Sequence, residues 1–524
     1  MARVKSVNGS FHYSVFMLVF FIAAYTGFFS YLSVLKYKAF FSLAGDDLAI
    51  SNNILWHSAK GNFFYQSIGE HLLDFHAGFF YFFLSAAYRL YPHIPTLFVF
   101  EHFALALGSI PLYHIGKKLF NSRRIAFVSA VAYLFSNHLH QLSFADQNPM
   151  VAFSVTFFLC AFYFFYKRNL AGFVIFALLT MACREDAAFT IAAFSLYAFL
   201  KRTDLRWKVI PGLLGGGYFL VFWHFLSPFL NYSPHNHPYI WNFFGENQNK
   251  YTLSQLVLNN FTHFIQRIIR IDSFRTIVNF FIHPVYCVFF LFSPLIFVLS
   301  LPTLLAIQLS AQKYFVSLES VHHFALGVPV FFLASLSGIY NIAALLQKNG
   351  ILRSHSAKNK MLWLLVILFS LFQVSSNFGR NIRLPYGGLY REDLDIADHR
   401  FVAAKNMYDP VFYRQDEHDK KAWDLITMIP TEASVSTSKT YLAALSSRDK
   451  IFYFGTKRES NDSEGHDFDV DYIFLNKNND YSGFGGIEIG HSVVAQKMPI
   501  LRQRYTVVQE TLGFILLRKQ QREL

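Results

Sequence analysis

Two adjacent carboxylates, Asp46 and Asp47, follow the first long apolar stretch of this sequence. Ionised side chains close to a bilayer are costly, and they commonly mark a functional site. A positioned carboxylate can act as a general base that removes a proton from an acceptor hydroxyl. Neighbouring residues point in different directions, so only one of the two is expected to reach a shared site. Spacing alone favours a simpler role, the capping of a helix over Leu48–Leu55.

Other polar residues lie in similar short segments between apolar stretches, and they suit an anionic amphipathic ligand such as a lipid-linked phosphate. An Arg guanidinium is a planar fork that can bind phosphate, although simple solvation is the strong alternative for the charged turn that begins at Arg184. No His or Cys spacing is diagnostic of a metal site. The candidate binding residues are His76, Asp146, Asn148, Arg184, Glu185 and His323.

The composition indicates an all-α polytopic membrane bundle. Of the 524 residues, 53% are hydrophobic and only 15% are charged, compared with roughly 25% charged residues in soluble domains. The net charge of +13 does not indicate nucleic-acid binding, because Lys and Arg cluster in short loops between apolar stretches. The three cysteines lie in apolar segments, so neither a disulfide framework nor a cysteine metal site is predicted.

About eleven transmembrane helices are predicted, at roughly 20 apolar residues for each span. Residues 77–91 are apolar but short, and two interpretations exist for them. If they form a half-inserted helix instead of a span, the basic clusters at 117–124, 201–208 and 348–360 all lie on the cytoplasmic side. The positive-inside rule therefore predicts a cytoplasmic N-terminus.

A transmembrane domain is predicted over residues 1–378, with periplasmic loops at 36–94 and 229–277. After this point the hydropathy falls, and residues 379–524 are predicted to form a small periplasmic α/β domain. A helix is predicted at Lys420–Ile429, before Pro430. Strand-like runs are predicted at Ala433–Thr437, Lys450–Phe454 and Val470–Leu475, followed by a hairpin over Tyr505–Arg518 that turns at Thr511-Leu512-Gly513.

The segment from Asp47 to Trp56 resembles the signature D-L-G-I-F-D-Q-x-L-W of a family of prokaryotic membrane proteins, domain of unknown function 2079. Other family motifs follow in the same order over roughly residues 40–345. His76 matches the family's His after the first loop. Leu105–Leu119 resembles L-G-x-x-P-L-Y-x-x-A-x-x-L, Asp146 to Pro149 resembles D-F-H-P-E, and Arg184 to Ala187 resembles K-E-D-A.

That family in turn resembles the GT-C superfamily of glycosyltransferases, which use polyprenyl-phosphate sugars and carry an Asp or Glu in the first outer loop. The resemblance implies that Asp47 is the catalytic base, with Asp46 beside it, and it outweighs the capping interpretation. It implies an inverting enzyme of the bacterial inner membrane. Such an enzyme would move a sugar from a polyprenyl-phosphate donor to a cell-envelope acceptor on the periplasmic face.

The sequence departs from the family at two places. Asn52-Asn53 stands where the family has D-Q, and Asn148-Pro149-Met150 stands where it has H-P-E. Because these departures remove carboxylates and a His, no cofactor is predicted, and a divalent metal ion stays an open alternative. Two other functions also stay open: a transporter or flippase of a lipid-linked sugar, and a non-catalytic membrane protein that binds lipid or sugar. A transporter usually shows repeat symmetry, and none is evident here.

Overall fold

The structure is a computed structural model. It describes residues 5–41, 45–68, 78–145, 148–226, 255, 258, 261–269, 289–309, 325–377, 407–454, 469–477 and 491–520.

The N-terminal part of the described chain is helical. Side-chain caps begin several of its helices: the oxygen of Ser122, Asn148, Asn169 or Ser354 accepts a backbone N–H of the first turn in each case. The helices are α1 (Lys5–Lys38), α2 (Gly45–Ala59), α3 (Tyr81–Tyr88), α4 (Ile94–Leu107), α5 (Ser109–Phe120), α6 (Arg123–Leu134), α7 (Asn137–Ala145), α8 (Pro149–Tyr166), α9 (Leu170–Cys183), α10 (Ala187–Leu200), α11 (Leu205–Val221), α12 (Phe261–Ile268), α13 (Pro294–Phe297), α14 (Leu301–Leu309), α15 (Gly327–Lys348) and α16 (His355–Ser375).

Helices of this part are long and apolar enough to cross a bilayer, which makes the chain a membrane protein. Five candidate spans meet both criteria in the described residues: Ser14–Lys38, Ile94–Phe120, Pro149–Tyr166, Gly327–Lys348 and His355–Ser375. Three other apolar helices are shorter: Leu170–Cys183, Ala187–Leu200 and Pro294–Ala306. The predicted count of about eleven spans is therefore matched only in part.

The short helix α3 lies within the ambiguous segment 77–91. Its eight residues rise only about 12 Å, far less than the roughly 30 Å of a bilayer core. Its two ends are attached to α2: the Tyr81 and Ser51 hydroxyl oxygens lie 2.8 Å apart, and the Tyr88 hydroxyl donates to the side-chain oxygen of Asn52 at 2.7 Å. These contacts agree with the prediction that the segment is not a span.

The C-terminal sheet region, which we define as the described residues from 407 to 520, contains a five-stranded sheet. The elements of this region are α17 (Glu417–Thr427), β1 (Val435–Thr437), α18 (Lys439–Leu445), β2 (Ile451–Tyr453), β3 (Tyr472–Asn476), α19 (His491–Arg504), β4 (Tyr505–Thr511) and β5 (Phe514–Lys519). Strands β1 and β2 are parallel, β3 lies on the other side of β1, and the antiparallel hairpin β5–β4 completes the order β2-β1-β3-β5-β4.

An apolar core is shared between the first part of the chain and the C-terminal sheet region. Leu48 and Leu55 of α2, Leu442 of α18 and Phe474 of β3 are all fully buried in the same cluster. The aromatic rings of Phe40 and Trp423 stack at 4.9 Å close by. Helix α2 is therefore covered by the C-terminal sheet region instead of by water.

Candidate functional site

Asp47 lies in the first turn of α2, and its side chain is half-buried. The helix begins at Gly45, three residues before the predicted start at Leu48, so Asp47 is inside the helix and is not its cap. This earlier start is favourable because the partial positive charge at a helix N-terminus stabilises carboxylates in the first turn. The prediction of a cap role for Asp47 is therefore wrong. The side chain of Asp46 lies outside the described part of the structure.

The phenol of Tyr81 is the neighbour of Asp47 that sequence reasoning missed. Tyr81 is buried, and its hydroxyl oxygen lies 2.8 Å from that of Ser51, one helical turn after Asp47. Burial raises the pKa of Tyr81 well above its ordinary value of 10, and the negative charge of Asp47 raises it further, against the lowering effect of the Ser51 hydrogen bond. The phenol is thus neutral at physiological pH, and it lies within electrostatic range of the Asp47 carboxylate.

The charged turn after α9 reaches the same region. The backbone N–H of Phe80, directly before α3, donates to the carbonyl of Ala182 at 3.0 Å. Leu48, Met150 and Cys183 are buried in one apolar cluster together with Tyr81. The structure thereby brings together three segments that sequence reasoning selected: the start of α2, the start of α8 and the end of α9.

Arg184 is mostly buried and forms a two-pronged ion pair with Asp186. Its Nε and Nη2 atoms each donate to one carboxylate oxygen at 2.8 Å, and the side chains are 12% and 26% exposed. The guanidinium edge that we assigned to a substrate phosphate is therefore held by Asp186. Because Asp186 is only two residues from Arg184, the two side chains lose little conformational entropy when they pair. The charges of Arg184 and Asp186 are consequently paired, which the alternative of simple solvation did not predict.

The remaining predicted residues have different positions. Glu185 is almost fully buried and does not face solvent. Asn148 caps α8, since its side-chain oxygen accepts the backbone N–H of Met150 at 3.0 Å. His76, Asp146 and His323 lie outside the described residues.

Asn52 and Asn53, which replace the family's D-Q, are fully buried and bind the C-terminal sheet region. The Asn52 amide donates to the hydroxyls of Ser446 and Ser447 at 2.8 and 2.9 Å. The Asn53 amide donates to the backbone carbonyls of Ser446 and Arg448, both at 2.9 Å. These side chains therefore dock two parts of the chain and do not line an open site.

Two further contacts extend this docking along α2. Asp449 accepts hydrogen bonds from the Trp56 indole at 3.2 Å and from the Lys60 ammonium at 2.6 Å. We call these contacts, together with those of Asn52 and Asn53, the α2 interface. The hydrogen bond from Lys60 lowers the pKa of Asp449, so this carboxylate stays ionised.

One group within the described ranges could hold a metal ion. Asp416, His418 and Asp419 each place a ligand atom within 4.8 Å of the others. Asp416 and Asp419 accept each other's backbone N–H in a capping box at the start of α17. The His418 ring packs on Phe514 with a centroid distance of 4.2 Å. Because both carboxylates already serve the helix cap, this group does not support a metal assignment.

The fold defines a class of polytopic membrane protein. It combines helical spans, a carboxylate in a short helix beside them, and a sheet that covers this helix. The chain matches the family model "Predicted membrane protein (DUF2079)" over residues 39–516, and it belongs to that family. The comparison with curated proteins finds no match.

Among solved structures, the chain is similar to an oligosaccharyltransferase from Archaeoglobus fulgidus, crystallised in complex with Zn and sulfate. The sequence identity is 13% and the TM-score is 0.37. The match covers 82% of this chain and 64% of the oligosaccharyltransferase, so the chain spans less than two thirds of that protein's length.

Proposed function

We propose that this protein is a GT-C-type inverting glycosyltransferase, which moves a sugar from a polyprenyl-phosphate donor to an acceptor of the cell envelope. The observation that carries the proposal is the position of Asp47. Its half-buried carboxylate lies at the positive end of α2, one helical turn before Ser51, whose hydroxyl contacts the buried phenol of Tyr81. A carboxylate held in this way at the edge of a membrane bundle is well placed to act on a lipid-linked head group.

In the proposed reaction, an acceptor hydroxyl gives its proton to the Asp47 carboxylate while its oxygen attacks the anomeric carbon of the sugar. The bond from that carbon to the phosphate oxygen breaks, and the polyprenyl phosphate leaves with the bonding electrons. A direct displacement of this kind inverts the anomeric centre. General-base help by a positioned side chain is worth roughly 10²–10⁴-fold in rate.

Arg184 is the residue that we assign to the departing phosphate. Asp186 holds its guanidinium in a fixed orientation near the end of α9. A phosphate would have to share the guanidinium with Asp186 or displace it, so Arg184 supplies positive charge instead of an unoccupied fork. Asp46, His76, Asp146, Asn148, Glu185 and His323 are proposed as further members of the site on the basis of sequence alone.

We also propose about eleven spans in the bacterial inner membrane, with a cytoplasmic N-terminus. The C-terminal region would then lie in the periplasm together with Asp47. The basic residues between the spans support this orientation, because they cluster at 117–124, 201–208 and 348–360. The C-terminal sheet region would cover the donor head group from the aqueous side.

The decisive experiment is Asp47→Asn in the full-length protein, reconstituted with a panel of synthetic polyprenyl-phosphate hexoses and with host membranes as the source of acceptor. Release of polyprenyl phosphate is measured. Asn keeps the shape of Asp and removes its basicity, so turnover should fall roughly 10²–10⁴-fold. Asp204→Asn is the matched control, because Asp204 is an exposed carboxylate that precedes α11 at the opposite end of the bundle.

Equal turnover by Asp47→Asn and the unmodified protein would overturn the proposed base. A flippase would give a different pattern: the labelled donor would change leaflets without release of polyprenyl phosphate, and Asp47→Asn would leave that exchange intact.

A further inference from the structure

A basic pocket lies at the end of the bundle opposite to Asp47. It is a half-open concavity of about 370 Å³ between the end of α5, the start of α6 and the end of α8. Four cationic side chains line it, namely Lys117, Lys118, Arg123 and Lys167. The proposed glycosyl transfer does not use this pocket.

Helix α8 separates the basic pocket from the candidate site. The helix begins at Pro149, close to the candidate site, and ends at Tyr166 beside the pocket. Its 18 residues rise about 27 Å, which is close to the roughly 30 Å of a bilayer core. A ligand in the basic pocket would therefore approach from the other face of the membrane.

The hairpin of α5 and α6 gives the pocket its shape. The two helices approach closely because Gly116 has no side chain: a Cβ there would lie 3.2 Å from the Cα of Ala126. Asn121 ends α5 in the left-handed conformation, with a φ of 50°. The Ser122 hydroxyl then accepts the backbone N–H of Ile125 and begins α6. The positive end of the α6 dipole consequently borders the pocket.

Lys118 joins this hairpin to α8. Its ammonium donates to the carbonyl of Tyr166 at 3.1 Å and lies 4.2 Å from the centre of the Tyr166 ring. This contact fixes the end of α5 against the end of α8. The cationic side chains of the two elements are thereby kept on a common concave surface.

The charge around the pocket has one sign. Residues 114–124 contain four Lys or Arg residues and residues 163–169 contain two, with no Asp or Glu in either segment. The positive-inside rule accounts for basic residues near the membrane, but it does not account for their convergence on one half-open pocket. Like charges held close together repel each other, and a bound anion offsets this repulsion.

We propose that the basic pocket binds a phosphate-bearing anion, which is either the head group of an anionic lipid or a soluble phosphate or diphosphate. Phosphate oxygens form strong charge-assisted hydrogen bonds with ammonium and guanidinium groups. Basic pockets between transmembrane helices are known to bind lipid phosphates in this way. An anion with two phosphates would contact cations from both α5 and α8 at once.

The test uses the full-length protein in phosphatidylcholine nanodiscs and follows its thermal unfolding midpoint. One arm adds inorganic pyrophosphate to the solution, and the other replaces part of the lipid with phosphatidic acid. The pocket variant is Lys117→Gln with Lys167→Gln. The matched control is Lys201→Gln with Arg206→Gln, which removes the same charge. These two residues lie at the same end of the bundle as the pocket, because Arg168, next to Lys167, lies 5.7 Å from the ring of Trp207, next to Arg206.

We expect at least one probe to raise the unfolding midpoint of the unmodified protein and of the control. The pocket variant should need at least about tenfold more of that probe for the same shift, since a hydrogen bond to a charged group contributes on this scale. A response to pyrophosphate alone would identify a soluble ligand, and a response to phosphatidic acid alone would identify a lipid. The proposal is wrong if neither probe shifts the midpoint, or if the control loses as much as the pocket variant.

Discussion

At the scale of single residues, the pair formed by Arg184 and Asp186 determines how a phosphate could bind. Two hydrogen bonds of 2.8 Å join the side chains, so a phosphate and the Asp186 carboxylate compete for the same guanidinium edge. Asp186 precedes α10, and its side chain makes no cap hydrogen bond there. Its replacement by Asn should therefore disturb the helix little.

Substitutions of Arg184 and of Asp186 should have opposite effects on phosphate binding. Arg184→Ala should weaken the binding of a short polyprenyl-phosphate analogue by about 1.5–3 kcal/mol. Asp186→Asn removes the competitor and should strengthen binding by at least about 1 kcal/mol, because exposed ion pairs contribute up to about this much and this pair is mostly buried. Titration of both variants in detergent measures these differences.

Arg184→Lys distinguishes the geometry of the guanidinium from its charge. Lys cannot form the planar two-pronged contact, so near-normal affinity in this variant would leave a role for charge alone. Unchanged affinity in Arg184→Ala would make Arg184 a structural residue of its turn and remove it from the proposed site.

At the scale of elements, α2 has two functions along its length. Its first turn carries Asp47, and its middle carries the α2 interface through Asn52 and Asn53. The Asn53 amide faces two backbone carbonyls of the C-terminal sheet region. A carboxylate at this position would meet those carbonyls with no proton to donate.

Asn53→Asp should therefore loosen the C-terminal sheet region from the bundle, with a loss of roughly 3 kcal/mol or more for a buried charge whose partners are removed. Limited proteolysis measures the loosening as faster release of a C-terminal fragment. Asn62→Asp is the control, since Asn62 is exposed in the turn after α2. Equal cleavage of the two variants would contradict the docking role.

Local sequence patterns predicted the five strands of the C-terminal sheet region and its helix α17, but they missed the helices α18 and α19. The hairpin turn is an example: Leu512 and Gly513 have φ values of 47° and 85°, and Gly at such a position signals a two-residue turn. The predicted helix at Lys420–Ile429 begins three residues earlier, at Glu417, because the capping box of Asp416 and Asp419 precedes it. The end predicted from Pro430, Ile429, lies two residues after the observed end at Thr427.

The contacts of Asn52 could not be predicted in this way. Its partner Ser446 is 394 residues away in the chain, and periodicity reports only on neighbours within an element. Tyr81 was missed for the same reason, because its proximity to Asp47 results from the packing of α3 on α2. The charged turn was predicted to lie near Asp47 only because the assumed topology places both segments at the same end of the membrane spans.

At the scale of the whole molecule, the α2 interface should respond to pH through His57. This side chain is buried near Asp449 and Lys60, and burial lowers its pKa below 6.5, partly opposed by the charge of Asp449. Just below pH 6.5 the unfolded chain binds a proton that the folded chain does not. The stabilisation is therefore present above this pH and is lost as the pH falls through the window down to the folded pKa.

We expect the interface to weaken as the pH falls below about 6.5, the ordinary pKa of His. Amide hydrogen exchange at residues 446–451, corrected for the intrinsic effect of pH, measures this change. His57→Gln does not titrate, so it should flatten the response. A response that is the same in His57→Gln would assign the pH dependence to another group.

Orientation in the membrane can be tested with single cysteines at exposed positions. Near the end of α2, Ser58 is fully buried, so a cysteine there would not be accessible to a reagent. Asn62, in the turn that follows, is exposed and is the better site. Asn62→Cys and Lys420→Cys should react with an impermeant maleimide added to the periplasmic side, whereas Lys201→Cys should react only after the membrane is opened. The reverse pattern would invert the proposed topology.

The docking of Asn52 and Asn53 has a consequence for how this protein can be recombined with its relatives. In the family signature that this sequence resembles, D-Q occupies these two positions, so we expect a relative's C-terminal region to be matched to a different pair of side chains. A chimera that exchanges only residues 407–520 would place foreign hydroxyls and carbonyls against Asn52 and Asn53. We expect such a chimera to assemble poorly until α2 is exchanged with it. The two segments, nearly four hundred residues apart, are thus expected to be inherited together.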